Sequence, residues 1–251
     1  MLKKFFKERE LRIKKQFKDN KFQKISKAWT KYSLANGYLY NFSWLGIPII
    51  KYPSDLIAIQ EIIFEIKPDL IIETGVAHGG SLAFYASIQK MYNKNSKTIG
   101  IEIDFRKHNK DNCKTIYNKL GIKVIEGSSI SENTIKKLKK FIKKRKKIMV
   151  ILDSDHSSKH VFDELEIYSK IVSKGSYLIC TDTVVDFMPK GFFLKDWQKK
   201  RASHRNFDKG NGPYIALRKF LSKNKDFKID NKFHSKSTIT ENPYGFLKKI
   251  K

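Results

Sequence analysis

Asp69-Leu70-Ile71-Ile72-Glu73-Thr74-Gly75-Val76-Ala77-His78-Gly79-Gly80-Ser81 decides the fold of this 251-residue chain. Leu70, Ile71 and Ile72 form an unbroken apolar run between Pro68 and a glycine-rich turn. A strand with one wet face would alternate apolar and polar residues, so this run reads as a short strand covered on both faces. The turn leads into a helix expected over 81–92. Upstream, Ser54 or Asp55 is placed to cap a helix ending at Lys67, with Leu56, Ile59, Ile62, Ile63 and Ile66 turned inward.

Working outward, the same alternation repeats. Strands are expected at 98–104, 123–126, 148–152 and 176–181, with helices over 105–120, 131–146 and 157–173. Short apolar strands separated by helices give an α/β fold, a doubly wound and mostly parallel Rossmann-like sheet with right-handed crossovers. A polar, aromatic-rich stretch over 186–213 precedes a helix at 214–223. Segments 227–233 and 238–247 are expected to close the sheet as an antiparallel pair. Residues 1–31 hold twelve Lys or Arg against three acids and read as one basic amphipathic helix. Residues 32–52 read as an irregular, aromatic connecting segment. The chain thus divides into a basic helical extension and connector, 1–50, and a sheet domain, 51–251.

Composition bounds the function. At 40% hydrophobic and 13% aromatic residues the chain can build a sizeable core, which excludes a wholly disordered protein. Its apolar runs are far shorter than a membrane span. The N-terminus MLKKFFKERE lacks the apolar core of a signal peptide, so a cytoplasmic protein is expected. Cys113 and Cys180 are too few for a disulfide framework or a structural zinc site. The net charge of +27 admits nucleic acid, an anionic membrane surface or an anionic substrate as a partner. Much of it is lysine spread along the whole chain, which compositional bias alone would produce. The basic amphipathic N-terminus adds possible attachment to the inner membrane surface as a further option.

Ligands of open α/β sheets gather at the carboxyl ends of the strands, near the point where strand order reverses. Those ends carry Glu73, Thr74, Gly75, His78, Gly79, Gly80 and Ser81; then Glu102 and Asp104; then Gly127, Ser128 and Ser129; then Asp153, Asp155 and His156; then Thr181 and Asp182. Gly75–Gly80 allows a tight turn and close backbone approach to a ligand. Glu102 or Asp104, at the next strand end, is placed to accept both hydroxyls of a ribose. Together they indicate an adenosine-containing cofactor, NAD or S-adenosylmethionine. A hydride-transfer Tyr with Lys four residues on fails at Tyr168, which is followed by Val172. Asp153 and Asp182, on adjacent strand ends, can chelate one hard divalent cation, best Mg²⁺. His156, three residues beyond Asp153, can act there as a general base. His156 and His160 could instead hold zinc, though no soft ligand stands nearby.

The runs Ile71–Ser87, Ile151–His156, Gly175–Thr183 and Gly210–Pro213 resemble the cephalosporin hydroxylase family. Despite its name, that family consists of class I S-adenosylmethionine-dependent methyltransferases and includes rhamnosyl and other sugar O-methyltransferases. The resemblance spans about 40–251. It implies a seven-stranded sheet with an antiparallel last strand. It also implies cofactor contacts from Glu73–Ser81, Glu102, Gly127–Ser129 and Asp153. In the metal-dependent relatives three ligands hold Mg²⁺; two positions fall on Asp153 and Asp182. The third falls on Thr181, where relatives carry Glu or Asp, so water or Asp155 would complete the set. His156 falls on the position of the catalytic base.

The resulting expectation is an O-methyltransferase acting on a hydroxyl of a sugar or sugar-like acceptor, in surface polysaccharide or natural-product biosynthesis. Trp197, Arg201, His204 and Arg205, in the long polar segment, would select that acceptor and suit a phosphorylated or nucleotide-linked one. A homo-oligomer is expected and nucleic acid is not. Two rivals remain. A nucleic-acid methyltransferase is favoured by nine basic residues within Lys136–Lys147, but these lie away from the strand carboxyl ends. A non-catalytic binding module that keeps the fold is favoured by Thr181.

Overall fold

The computed structural model describes residues 2–194 and 207–251. Trp197, Arg201, His204 and Arg205 lie outside the described residues. Seven strands form one sheet: β3 (Leu70–Thr74), β4 (Lys97–Glu102), β5 (Lys123–Glu126), β6 (Ile148–Leu152), β7 (Tyr177–Cys180), β8 (Phe227–Ile229) and β9 (Phe246–Lys249). Their order is β5-β4-β3-β6-β7-β9-β8. All pairs are parallel except those made by β9, which is antiparallel to both β7 and β8. Strand order therefore reverses between β3 and β6, where Thr74 pairs with Leu152. Gly75 and Asp153 leave the sheet side by side at that point.

Alternate strand residues feed two cores, as a pleated sheet covered on both faces requires. Ile71, Met149, Ile151 and Phe246 pack under α3 (Pro53–Ile66) and α4 (Gly80–Tyr92), with Ile59, Ile62, Leu82 and Tyr85. Ile72, Val150, Leu178 and Leu247 pack on the other face. There they meet Leu138 of α6 (Glu132–Ile142), Leu165 of α7 (Ser158–Tyr168) and Leu217 of α8 (Pro213–Lys223). Between β4 and β5 runs α5 (Lys107–Leu120).

Several boundaries differ from expectation. The second strand stops at Glu102, which leaves Asp104 in the following loop. The helix expected to reach 146 ends at Ile142, and that expected to reach 173 ends at Tyr168. Neither Ser54 nor Asp55 caps α3, because Pro53 already opens it after Tyr52. Both residues tie down a distant segment instead. Ser54 donates to the Ile239 carbonyl at 2.5 Å, while buried Asp55 accepts from Thr240 Oγ1 (2.5 Å) and the Glu241 amide (2.8 Å). The expected closing pair is shorter, and α9 (Asn231–Lys236) intervenes.

The N-terminus forms two helices, α1 (Leu2–Lys18) and α2 (Asn20–Ala35), rather than one. Asp19 breaks them apart by accepting from the Phe22 amide at 3.0 Å, an N-cap that satisfies an otherwise orphan donor. The segment read as irregular contains a hairpin, β1 (Phe42–Trp44) with β2 (Ile47–Ile49). It packs on α4, where Trp44 donates to Ser87 at 3.1 Å and meets Phe84 edge to face. A Cβ on Gly80 would fall 2.4 Å from the Pro48 carbonyl, so only glycine permits this approach. A boundary at residue 50 consequently cuts through tightly packed structure.

Candidate active site

At the switch point the strand ends open into a crevice lined by the turn 75–81, Glu102, Asp153, His156 and Asp182. Its other wall is Leu34, Leu39, Tyr40 and Pro48–Lys51, with Phe193, Phe207 and Glu241.

The glycine turn is held from both sides. Gly75 adopts φ +80°, and a Cβ there would lie 1.9 Å from the Asp153 carbonyl. A side chain would therefore wedge β3 and β6 apart. Glu102 Oε2 accepts from the amides of Val76 (2.8 Å) and Ala77 (3.0 Å), while its Oε1 accepts from Ile103 (2.9 Å). From the far side, α5 holds the turn's carbonyls: Asn109 donates to Ala77 (2.9 Å) and Tyr117 to Gly79 (2.9 Å). His78 pairs with Asn109 at 3.2 Å and faces the crevice.

The other half of the crevice is a charged cluster. Lys51, 1% exposed, donates to Asp153 Oδ2 at 2.8 Å and to Glu241 Oε1 at 3.3 Å. Thr181 Oγ1 donates to Asp153 Oδ1 at 2.6 Å. His156 Nε2 lies 3.8 Å from Asp153 Oδ1 and 3.5 Å from Asp182 Oδ2. Asp182 is in left-handed backbone (φ +53°), and its amide donates to Asn242 Oδ1 at 3.0 Å. One ligand atom each from Asp153, His156 and Asp182 lie within 4.8 Å of one another.

Charge is unevenly balanced here. Burial pushes Asp153 up, but the Lys51 ammonium, His156 and Thr181 outweigh it and hold the carboxyl below its usual range. Burial lowers Lys51, and the facing Asp153 and Glu241 more than reverse this. Asp182 and Glu241 are pushed up by burial, and neighbouring carboxylates add to it. Among the described residues one ammonium faces three carboxylates. That surplus, with two carboxylates converging beside an imidazole, fits a divalent cation.

Not every expected residue reaches the crevice. Glu73 is fully buried beneath it, and its two oxygens accept from Ser81 Oγ (2.5 Å) and Tyr85 OH (2.9 Å). It fastens the start of α4 to β3 rather than facing a ligand. Thr74 is likewise buried and receives the Asp153 amide at its carbonyl, 2.9 Å away. Asp104 is an exposed loop residue 3.7 Å from Arg106, so Glu102 is the acid at the crevice. Gly127, Ser128 and Ser129 follow β5 and do not line it; Ser129 Oγ meets His160 Nε2 at 3.0 Å. Thr181 is 1% exposed, and its Oγ1 lies between the two acids, 2.6 Å from Asp153 Oδ1 and 3.4 Å from Asp182 Oδ2. It orients the Asp153 carboxylate. His160 turns toward Ser129 and Glu164 (3.5 Å), away from any shared centre with His156. Lys51 and Glu241 were missed by sequence reasoning.

Residues 36–250 match the model of the family described as rhamnosyl O-methyltransferase/CmcI. A rhamnosyl O-methyltransferase of Mycobacterium bovis (strain BCG / Pasteur 1173P2) is 26% identical over 232 residues, covering 89% of this chain and 84% of that protein. One from Mycobacterium leprae (strain TN) is 28% identical over 166 residues, 66% of this chain and 70% of that protein. Among solved structures, CmcI-D160 described as Mg-SAM superposes with a TM-score of 0.57 at 18% identity, covering 84% of this chain and 78% of that one. The CmcI-N160 apo-structure gives 0.56, also at 18% identity, over 84% and 77%. At that identity both establish the fold alone, and they agree with the sheet described above.

Proposed function

The chain belongs to the rhamnosyl O-methyltransferase/CmcI family and is an S-adenosylmethionine-dependent O-methyltransferase; from that premise we propose the following division of labour in the crevice. The acceptor is a rhamnosyl or similar sugar presenting one hydroxyl to His156. The turn 75–81 and Glu102 take the cofactor, Asp153 and Asp182 hold Mg²⁺, and His156 removes the hydroxyl proton. The observation that carries this is the convergence, in one crevice, of the Glu102-pinned glycine turn and the Asp153–His156–Asp182 cluster.

When bound, S-adenosylmethionine supplies an electrophilic methyl group and Mg²⁺ a Lewis acid that acidifies a hydroxyl. The chain's own residues do the rest. Glu102 Oε1 accepts from the neighbouring amides of Ile103 (2.9 Å) and Asp104 (3.4 Å), which ribose hydroxyls would displace while Oε2 keeps its hold on the turn. Lys51 holds one oxygen of Asp153 and Thr181 bonds the other, so that carboxylate is aimed before any ligand arrives. His156 Nε2 lies beside both carboxylates, where a proton taken from the acceptor would leave imidazolium facing two negative groups. Phe207, with its ring 5.1 Å from that of His156, gives the reacting centre an apolar wall.

The test is methyl transfer from labelled S-adenosylmethionine to a panel of rhamnosides and nucleotide-linked sugars. EDTA should abolish turnover, Mg²⁺ should restore it, and Asp182→Ala should mimic EDTA. His156→Ala should lower kcat by about 10²–10⁴-fold with affinity for S-adenosylhomocysteine nearly unchanged. Full activity in EDTA would remove the metal from this scheme, and preference for NAD would overturn the cofactor assignment.

A further inference from the structure

The helix α2 is turned inside out. Its buried stripe is Ser26, Thr30 and Ser33, with Leu34. Their hydroxyls bond mostly within the helix: Ser26 donates to the Phe22 carbonyl (2.9 Å), Thr30 to Ser26 (2.9 Å) and Ser33 to Thr30 (3.1 Å), with Tyr52 OH also meeting Ser33 Oγ at 2.6 Å. The apolar side chains point outward. Phe22, Ile25, Trp29 and Tyr32 follow a three-four-three spacing, one stripe of a helix, and are 37%, 60%, 43% and 68% exposed. On one side of that stripe exposed Lys21, Lys24 and Lys31 follow in turn, while Lys27 projects from the opposite face. The preceding α1 buries no residue and leaves Leu2, Phe5, Phe6 and Leu11 exposed among further Lys and Arg.

An ordinary surface helix would bury Ile25 and Trp29 and expose Ser26 and Thr30. Trp29 meets Tyr38 edge-on at 5.8 Å within the domain, and the rest of the stripe is left for another surface to cover. Charge decides which. Residues 1–31 carry twelve Lys or Arg and three acids, so a second copy docking here would bring two strongly positive faces together. An anionic bilayer is complementary to the lysines, and its interface takes up Trp, Tyr and aliphatic side chains side by side. We propose that α1 and α2 form a peripheral anchor for anionic phospholipid membranes, with the Phe22–Ile25–Trp29–Tyr32 stripe entering the headgroup–acyl boundary and the bordering lysines binding headgroup phosphates. Among the described residues no helix is long and apolar enough to cross a membrane, so the attachment is in the interface plane. Leu34, Leu39 and Tyr40, directly after the stripe, line the crevice, so the anchor places the crevice wall close to the bilayer surface. The anchor does not depend on the identity of the acceptor.

The full-length protein is floated with vesicles of phosphatidylcholine alone or with about a third phosphatidylglycerol, at roughly 0.15 M salt. Binding to the anionic vesicles only is expected. Ile25→Glu/Tyr32→Glu should lower that partitioning by about tenfold or more, with melting temperature and S-adenosylhomocysteine affinity retained. Lys21→Gln/Lys24→Gln/Lys31→Gln, which keeps the stripe, should weaken binding and flatten its salt dependence. No partitioning, or equal partitioning of all three proteins, overturns the proposal. So does light scattering that finds a wild-type dimer which Ile25→Glu/Tyr32→Glu dissociates, or single-stranded RNA binding lost in that same variant.

Discussion

Lys51 is the residue on which the crevice is assembled. A buried ammonium is costly on its own, and its two carboxylate partners come from positions far apart in the chain. Lys51→Met would strand Asp153 and Glu241 as uncompensated buried charges, with an expected loss of about 3–5 kcal/mol. Thermal denaturation should show this as a clear drop in melting temperature, and Mg²⁺ should recover part of it. An unchanged melting temperature would mean that Glu241 simply takes up a proton. Glu102→Ala removes a charged acceptor from two amides of the turn, a contribution of about 1.5–3 kcal/mol per bond. Calorimetry should find S-adenosylhomocysteine binding weakened roughly 10-fold or more. Asp153, His156 and Asp182 were legible in the sequence because each stands just past an apolar run that can only be a buried strand. Lys51 was not: in a chain with 52 Lys and Arg, one more lysine carries no signal. Its burial beside Ile50 and Tyr52 is a property of the folded molecule.

At the scale of elements, Glu73 joins β3 to α4 in a pH-dependent way. Burial pushes its carboxyl up to about 8; Lys51 opposes this and Asp153 adds to it. The unfolded group titrates near ~4.3, so the folded state holds the proton more tightly. Its stabilising contribution is therefore complete below that value and is lost as pH rises through about 8. Melting temperature should fall across this window, and Glu73→Gln should flatten the slope. Asp55, pushed up to about 7 mainly by burial, and Glu241 and Asp182, also pushed up by burial, would leave a residual slope of the same sign. An unaltered slope in Glu73→Gln would place the titration elsewhere. The parallel strands were readable from residue pattern alone, since both faces are covered. The β1–β2 hairpin and α9 were not, because three-residue strands and a six-residue helix have little local preference of their own. Packing on α4 and β9 makes them. Helix ends were overrun for a related reason: lysines continue the helical propensity past Ile142, while the chain must turn to enter β6.

For the whole molecule, the N-terminal helices contribute unequally. Deleting residues 2–18 removes no buried side chain and one half-exposed ion pair, Arg9 with Glu61 at 3.7 Å. Melting temperature should fall by no more than about 5 °C. Deleting through Ala35 also removes Leu34 from the crevice wall and the 2.6 Å bond between Ser33 and Tyr52. That deletion should destabilise the protein far more and weaken cofactor binding, as scanning fluorimetry and calorimetry would show. The order of the sheet has a kinetic side as well. Among the described residues β8 pairs with β9 alone, and β9 is the strand that covers β7. Until residues 246–249 have been synthesised and docked, the apolar edge of β7 stays open and β8 has nowhere to go. A ribosome paused in that interval holds a nascent chain with an unpaired strand of Tyr177, Leu178, Ile179 and Cys180, a segment for a chaperone to shield.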